Sequence, residues 1–350
     1  MDVILDNIGF SLQKMGGLSM VWKALVESVK ESGLTYKCIE YPGAHSNEVR
    51  RVMSDYIVEE RHPLSMFLER YRNTNIQEDT PFVYHSSIYR TSKGTNAINV
   101  ITVHDFVYER YYSGLQRKVH CWQKYNAIRN ADVVVSISEN TKKDILHYLP
   151  DVDEDKIRVI YNGVSEDYKP VSHSRFAEMG NYIVFVGSRQ PYKNFNFVVE
   201  SIKDTNYSLA IVGGGLTQNE TKYLESNLGY QRYKYMGYLS NQDLNELYNA
   251  CYCLAYPSGY EGFGIPILEA QKSCCPVIAF NYSSIPEVMG NSPLLMGELR
   301  TDEFKEKLRM LKMDSLRNTV IEQGLDNSTR FSWKKMGQDY VQLYKDLLNK

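Results

Sequence analysis

The sequence has no strong excess of either charge. Its 40 basic and 42 acidic residues leave a formal net charge of −2 over 350 residues. Nothing in that total points to nucleic acid as a partner. Long hydrophobic runs are missing too: none approaches the roughly 18 apolar residues that span a bilayer. The start does not read as a secretory signal. Val3-Ile4-Leu5 reads as a first strand, with no basic region before it and no small-residue cleavage site. The six cysteines (Cys38, Cys121, Cys251, Cys253, Cys274 and Cys275) form no C-x-x-C pair and no zinc-like spacing. Several sit in apolar runs, as expected of buried thiols in a reducing, cytoplasmic compartment. There is also no G-x-G-x-x-G followed by an acid about 20 residues on, so the dinucleotide fingerprint is absent.

What is present is a long series of strand, loop and helix. With 43% apolar and 23% charged residues, 350 residues suffice for two domains with full cores. Met1 to Asp6 opens the first as a strand. A loop through Met15-Gly16-Gly17 follows, then a helix with Val21, Trp22, Leu25, Val26 and Val29 on one face. Strand, Gly-Gly loop and helix make a phosphate cradle or a plain tight turn, and the residues alone leave both open. Residues 43–80 are polar, with a helical middle. Phe82–His85 and Asn99–Val103 read as strands, the second leading into His104-Asp105. Ligands in open α/β sheets sit beyond the carboxyl ends of strands, which makes His104 a candidate. Asp105 either orients its imidazole or caps the next segment.

From Tyr89 to Arg129 there are seven basic residues against Asp105 and Glu109, interleaved with Phe106, Tyr108, Tyr111, Tyr112 and Trp122. Two readings stand: a solvated helix with a buried aromatic side, or contact with anionic lipid through 106–129. The acidic triplet Asp151-Val152-Asp153 lies in a loop after a helix, where its acids face solvent. Residues 164–181 are polar, with Pro170 and Gly180, and read as the inter-domain linker.

The second domain starts at the strand Tyr182–Gly187. Its loop carries Arg189 and Lys193 ahead of a helix. Cations suit a helix N-terminus poorly unless an anion such as a pyrophosphate lies there. Cys251–Ala255 reads as a buried strand, followed by Tyr256-Pro257-Ser258-Gly259-Tyr260-Glu261-Gly262-Phe263-Gly264-Ile265-Pro266. Pro266 marks a first helical turn, so Gly262 to Ile265 lie at a helix N-terminus, a place suited to anions. Glu269 lies one turn inside. Two helices, about Asp302–Gly324 and Trp333–Leu348, finish the chain.

Taken together, these residues resemble the glycosyltransferase family 4 enzymes. The likeness rests on Glu261 and Glu269 in an E-x7-E pair, Arg189 with Lys193-Asn194, Gly213-Gly214-Gly215 and Gly237 with its helix. It also rests on Asn162-Gly163, the strand end at Ser138, Gly16-Gly17 and Phe331-Ser332-Trp333. Leu18-Ser19-Met20 departs from the more glycine-rich loop of the pattern, which weakens the N-terminal contact to a donor phosphate.

The resemblance implies an α/β GT-B architecture with two Rossmann-like domains facing a cleft. The N-terminal acceptor domain is expected over 1–168, the nucleotide-sugar domain over 169–332, and a helix over 333–350 crossing back to the first domain. It implies a retaining transfer of a hexose from a nucleotide-diphosphate sugar, with no cofactor and no metal. The segment Arg189-Gln190-Pro191-Tyr192-Lys193-Asn194 looks most like mannosyltransferases of bacterial surface polysaccharides, which implies GDP-mannose. By the same analogy Arg189 and Lys193 neutralise the diphosphate, Glu261 holds the sugar near its reacting carbon, and Glu269 holds the ribose. Gly16, Gly17, Gly237, Tyr238, Leu239, Gly262, Phe263, Gly264 and Ile265 complete the donor contacts. His104 and Asp105 stand on the acceptor side. The acceptor is a glycan or a lipid-linked glycan, reached from the cytoplasm at the inner face of the membrane. A UDP-sugar donor, a GT-B sugar-nucleotide epimerase and a silent sugar-nucleotide-binding module are the alternatives.

Overall fold

The computed structural model describes residues 1–14 and 16–349. Met15, part of the expected Gly-Gly loop, lies outside them. The chain divides into two compact units, Met1–Gly163 with Ser332–Lys350, and Val164–Phe331.

The first unit is built on seven strands: β1 (Val3–Asp6), β2 (Tyr36–Glu40), β3 (Val58–Glu60), β4 (Phe82–Ser86), β5 (Ala97–Val103), β6 (Val133–Ser136) and β7 (Ile157–Val159). Their order is β3-β2-β1-β4-β5-β6-β7, with every pairing parallel. A parallel sheet needs cover on both faces. In β1, Val3 and Leu5 join one core and Ile4 the other. The first core is roofed by the helix Gly17–Glu31, through Val21, Trp22, Leu25 and Val29, and by the last helix Trp333–Leu348. That last helix buries Met336, Tyr340, Tyr344 and Leu347. A fully buried large apolar side chain contributes about 1.5–3 kcal/mol. Polar anchors fix its register: Tyr344 Oη lies 2.5 Å from His85 Nδ1 and Tyr340 Oη lies 2.8 Å from Thr102 Oγ1.

The second unit holds β8 (Tyr182–Val186), β9 (Ser208–Val212), β10 (Tyr233–Gly237), β11 (Cys253–Tyr256), β12 (Val277–Phe280) and β13 (Leu295–Met296). These are also all parallel, in the order β10-β9-β8-β11-β12-β13. The order reverses between β8 and β11. Ligands of doubly wound sheets bind outside the carboxyl ends at such a switch point.

Several sequence expectations are corrected. The polar stretch 43–80 contains β3 and only short helical pieces, Ala44–Ser46, Glu48–Arg51 and Met66–Glu69. Residues 164–181 are not a free linker. The Lys169 and Val171 N–H groups donate to Asn245 and Asn249 on the helix Asn241–Ala250, and Tyr168 is buried. These bonds attach the stretch to the second unit, so the boundary falls after Gly163 rather than after 168. The expected helix Asp302–Gly324 is two helices, Thr301–Met310 and Asp314–Ser328. Among the described residues, no helix is long and apolar enough to cross a membrane.

Candidate active site

The switch point of the second unit is made by two loops. One follows β8 and carries Arg189 and Lys193. The other follows β11 and carries Glu261. They are stitched together by backbone and amide bonds. The Gly259 N–H donates to the Tyr192 carbonyl at 2.7 Å, and the Asn194 amide donates to the Pro257 carbonyl at 2.9 Å. Asn194 itself has a left-handed backbone (φ 54°), so the first loop turns sharply into the helix Phe195–Ile202. The second loop ends at Gly264 (φ 110°), which precedes the helix Ile265–Lys272 with Pro266 in its first turn. A side chain at that φ is strained, which accounts for glycine there. Ser284 holds the loop from below, bonding the Phe263 carbonyl at 2.8 Å.

Both cations are already paired with acids. Lys193 is ion-paired directly with Glu261, and both side chains are largely buried. Arg189 Nε donates to Glu220 Oε1 at 2.6 Å, and Nη2 donates to the Gly215 carbonyl at 2.5 Å. Its remaining nitrogen, Nη1, is buried with no hydrogen-bond partner among the described residues. A buried guanidinium N–H left unpaired is costly, and an anion is the partner that satisfies it. Glu220 was not anticipated. The signal was legible, since Thr217 and Glu220 form a capping box, the T-x-x-E pattern at a helix start. Ser284 reads from sequence as the cap of a short turn at Pro286-Glu287-Val288. It does precede the helix Ile285–Met289, but its side chain makes no cap bond and serves the loop instead.

Glu269 keeps some surface, but its carboxyl lies low in the fold beside Tyr168 and Tyr248, and burial pushes it up to about 7. Gly237 closes β10, Tyr238 beyond it is largely exposed, and Leu239 is half-buried. Gly262, Phe263, Gly264 and Ile265 stand where the sequence predicts, at the helix start.

The first unit carries the remaining candidates. Gly16 precedes the helix Gly17–Glu31, and a Cβ on Gly17 would meet nothing within 4 Å, so that side of the turn is open. His104 follows β5, half-buried at the surface, and burial lowers its imidazole to about 4, keeping it neutral. Asp105 is not the N-cap of the helix Val107–Tyr111, a place taken by Phe106, but its side chain closes the turn before it. Its Oδ1 accepts from the Val107 N–H at 3.0 Å. Lys124 Nζ donates to the Asp105 carbonyl at 2.8 Å.

The basic-aromatic segment is less free than its composition suggests. Arg110 pairs with Asp144, Lys124 with Glu109 and Arg129 with Asp151, at 2.6, 2.9 and 2.8 Å. Phe106 is buried, and Tyr108 stacks between Tyr112 and His120.

A family model described as glycosyltransferase family 4 matches residues 15–168, and one described as glycosyl transferases group 1 matches 171–327. The chain is 27% identical over 239 residues to O-antigen chain mannosyltransferase B of Escherichia coli, covering 63% of this chain and 62% of that one. It is 32% identical over 203 residues to an O-antigen chain mannosyltransferase of Salmonella typhimurium, covering 55% of each. The chain thus spans somewhat over half the length of these relatives. Among solved structures it resembles the Anabaena protein HepE in complex with UDP and glucose. The TM-score is 0.72 at 14% identity, over 99% of this chain and 100% of that one. That likeness shows the fold, GT-B. With a family 4 match over one half, a group 1 match over the other, and two parallel Rossmann-like sheets, the chain belongs to the family 4, group 1 glycosyltransferases.

Proposed function

We propose that this chain is a retaining, metal-independent hexosyltransferase that moves mannose from GDP-mannose to a glycan or lipid-linked acceptor in surface polysaccharide assembly. The observation that carries the site is Arg189 Nη1, buried and unpartnered beside the Lys193–Glu261 pair at a topological switch point. The choice of mannose is supported by the two O-antigen mannosyltransferase relatives.

In this reading the donor diphosphate bridges Arg189 and Lys193. As the bond from the anomeric carbon to the β-phosphate oxygen breaks, charge grows on that oxygen, and the two cations stabilise it. The acceptor hydroxyl oxygen bonds to the anomeric carbon from the same side. Its proton passes to the departing phosphate, and the nucleoside diphosphate leaves. Lys193 would then face two anions, Glu261 and phosphate. Glu261 is released to hold the sugar hydroxyls, and Glu269 the ribose. His104, neutral, would hydrogen-bond the sugar on the acceptor side.

A second reading, transfer from a UDP-sugar, is favoured by one observation: the HepE structure contains UDP and glucose. The test is turnover of GDP-mannose and of UDP-glucose, with and without a glycan acceptor, in EDTA, with the anomeric configuration of the product read by NMR. Free GDP formed only with acceptor, and an α-linked product from the α-donor, are expected. UDP release instead would select the second reading. Donor isomerisation without acceptor would mean an epimerase, binding without turnover a silent module, and a strict need for a divalent ion would end the metal-free mechanism. Arg189→Ala and Lys193→Ala should each lose about 2–4 kcal/mol of transition-state stabilisation in kcat/KM. Near-parental rates in both would remove the diphosphate assignment.

A further inference from the structure

Arg189 is held along one edge. A guanidinium carries its N–H donors in a rigid planar fork, with Nε and Nη2 on one edge and Nη1 on the other. Nε meets Glu220 Oε1 at 2.6 Å. Nη2 meets the Gly215 carbonyl at 2.5 Å and Glu220 Oε2 at 3.5 Å. The Phe195 ring centroid lies 6.0 Å from the guanidinium carbon. Nη1 is left buried without a hydrogen-bond partner among the described residues, on a side chain only 8% exposed. A mobile arginine would turn such a nitrogen to water. Here the other edge is fixed, so it does not turn.

The holding groups are themselves fixed. Thr217 precedes the helix Gln218–Leu228 as its cap. Its N–H and its hydroxyl donate to Glu220 Oε2 at 2.7 and 2.8 Å, and its hydroxyl accepts from the Glu220 N–H at 3.2 Å. Oε2 is thus tied to the helix start while Oε1 is turned to Arg189. The Gly215 carbonyl is brought in by a close approach of two loops. A Cβ on Gly213 (φ 136°) would lie 2.6 Å from the Gly187 carbonyl oxygen, so the loop after β9 reaches the loop after β8 because glycine stands there.

An acid beside a cation can act on an anion site in two opposite ways. It competes with the incoming phosphate, or it fixes the direction in which the cation points. Lys193 has the first geometry, because its charge sits on one atom and Glu261 is already on that atom. Arg189 has the second, because Glu220 takes the Nε edge and leaves Nη1 to a ligand. Helix capping alone accounts for the bonds to Thr217, but not for the second carboxylate oxygen on a guanidinium 31 residues away. We propose that Glu220 is a positioning residue for the transfer reaction, acting through Arg189: it holds the guanidinium by its Nε edge so that Nη1 faces the donor diphosphate. This role rests on the diphosphate reading given above. Rotamer freedom given up before the ligand arrives is not lost again on binding.

The test is a double-mutant cycle in nucleoside diphosphate binding. GDP and UDP are titrated by calorimetry into the parent chain, Arg189→Ala, Glu220→Ala and the double variant. Glu220→Ala should weaken binding of the preferred diphosphate by about tenfold, the order set by the rotamer freedom the arginine regains. In the Arg189→Ala background the same change should have almost no effect, since a residue that acts through another falls silent once that other is gone. Glu220→Gln keeps an acceptor for Nε and suits the capping pattern, so it should recover most of the loss. If Glu220→Ala does not fold, Glu220→Asp, which withdraws the carboxylate by one methylene, takes its place in the cycle. A lower thermal midpoint with unchanged diphosphate affinity would reduce Glu220 to a helix cap and overturn the proposal. Tighter binding would make it a competitor of phosphate and do the same, as would equal losses with and without Arg189. Weakened binding in Arg189→Ala with none in Glu220→Ala ends the role of Glu220 alone. Parental binding in Arg189→Ala, or a parent that takes up neither diphosphate, ends the diphosphate reading and the role of Glu220 with it.

Discussion

Lys124 brings its ammonium to a place with no solvent exposure, and Glu109, equally buried, meets it at 2.9 Å. The ammonium also donates to the Asp105 carbonyl and lies 4.2 Å from the Phe106 ring centroid. Removing one member of such a pair strands the other, which costs far more than the pair is worth. Lys124→Met should therefore lower stability by about 3–5 kcal/mol. Adding Glu109→Gln removes the stranded charge and should return part of that loss. The remainder reflects the Asp105 carbonyl, left without its donor, at about 1–3 kcal/mol. Urea unfolding of both variants checks this, and a double variant no more stable than the single one would show that stranded charge is not the cost. The pair was not legible in the sequence. By composition Lys124 is one basic residue among seven, and only the fold turns it inward. Glu261 and Glu269 show the reverse case. Their spacing marked them at once, yet not that Lys193 closes on Glu261 or that burial raises Glu269.

At the scale of elements, the last helix and the helix Gly17–Glu31 pack at close range, and Gly337 allows it. A Cβ at that position would lie 1.8 Å from Ser28 Oγ and 2.4 Å from Ser28 Cβ. Gly337→Ala should destabilise by about 1–3 kcal/mol, as overpacking usually does. Ser28→Gly clears the colliding atoms, so the double variant should recover part of that loss. Simple additivity of the two changes in thermal unfolding would rule out the clash. Elements with strong punctuation were readable from sequence. The helix Ile265–Lys272 is announced by Gly264 and Pro266, and the helix Asn241–Ala250 by Ser240, whose hydroxyl accepts from the Asp243 N–H. β3 was not, because three residues with two glutamates carry no apolar pattern and become a strand only by pairing with β2.

For the whole molecule, the two units should respond to pH in opposite senses between about 5 and 6.5. Burial lowers His85 to about 3 and His104 and His120 to about 4, all in the first unit. An unfolded histidine protonates near 6.5. Unfolding there takes up protons, so these groups give their full stability above about 6.5 and lose it as pH falls toward about 4. In the second unit Glu269 titrates at about 7 when folded and about 4.3 when unfolded. It stays protonated in the fold while the unfolded chain is ionised, so its contribution declines as pH rises across that window. Calorimetry at several pH values should show the first unit losing stability on acidification, with His104→Asn reducing the trend, and Glu269→Gln flattening the opposing one. A common drift in both units would contradict the assignment. Nucleotide-sugar binding, which stabilises the unit that holds it, identifies which transition belongs to which.

Alternating strand and helix in two halves is legible in the sequence, as is which loop carries the acids and which the cations. Those features are local, written in periodicity, in Gly264 and Pro266, and in the charge around Arg189 and Lys193. Tertiary structure decided what each charge does. Glu220 reaches Arg189 from 31 residues away and Asp144 reaches Arg110 from 34, and Lys124 turns into the core while Trp122, two residues earlier, turns out. Chain separation hides such pairs, since partners are chosen by where a parallel sheet brings its loops together. Composition counts Arg110, Lys124 and Arg129 as a basic surface, but the fold pairs each of them with an acid.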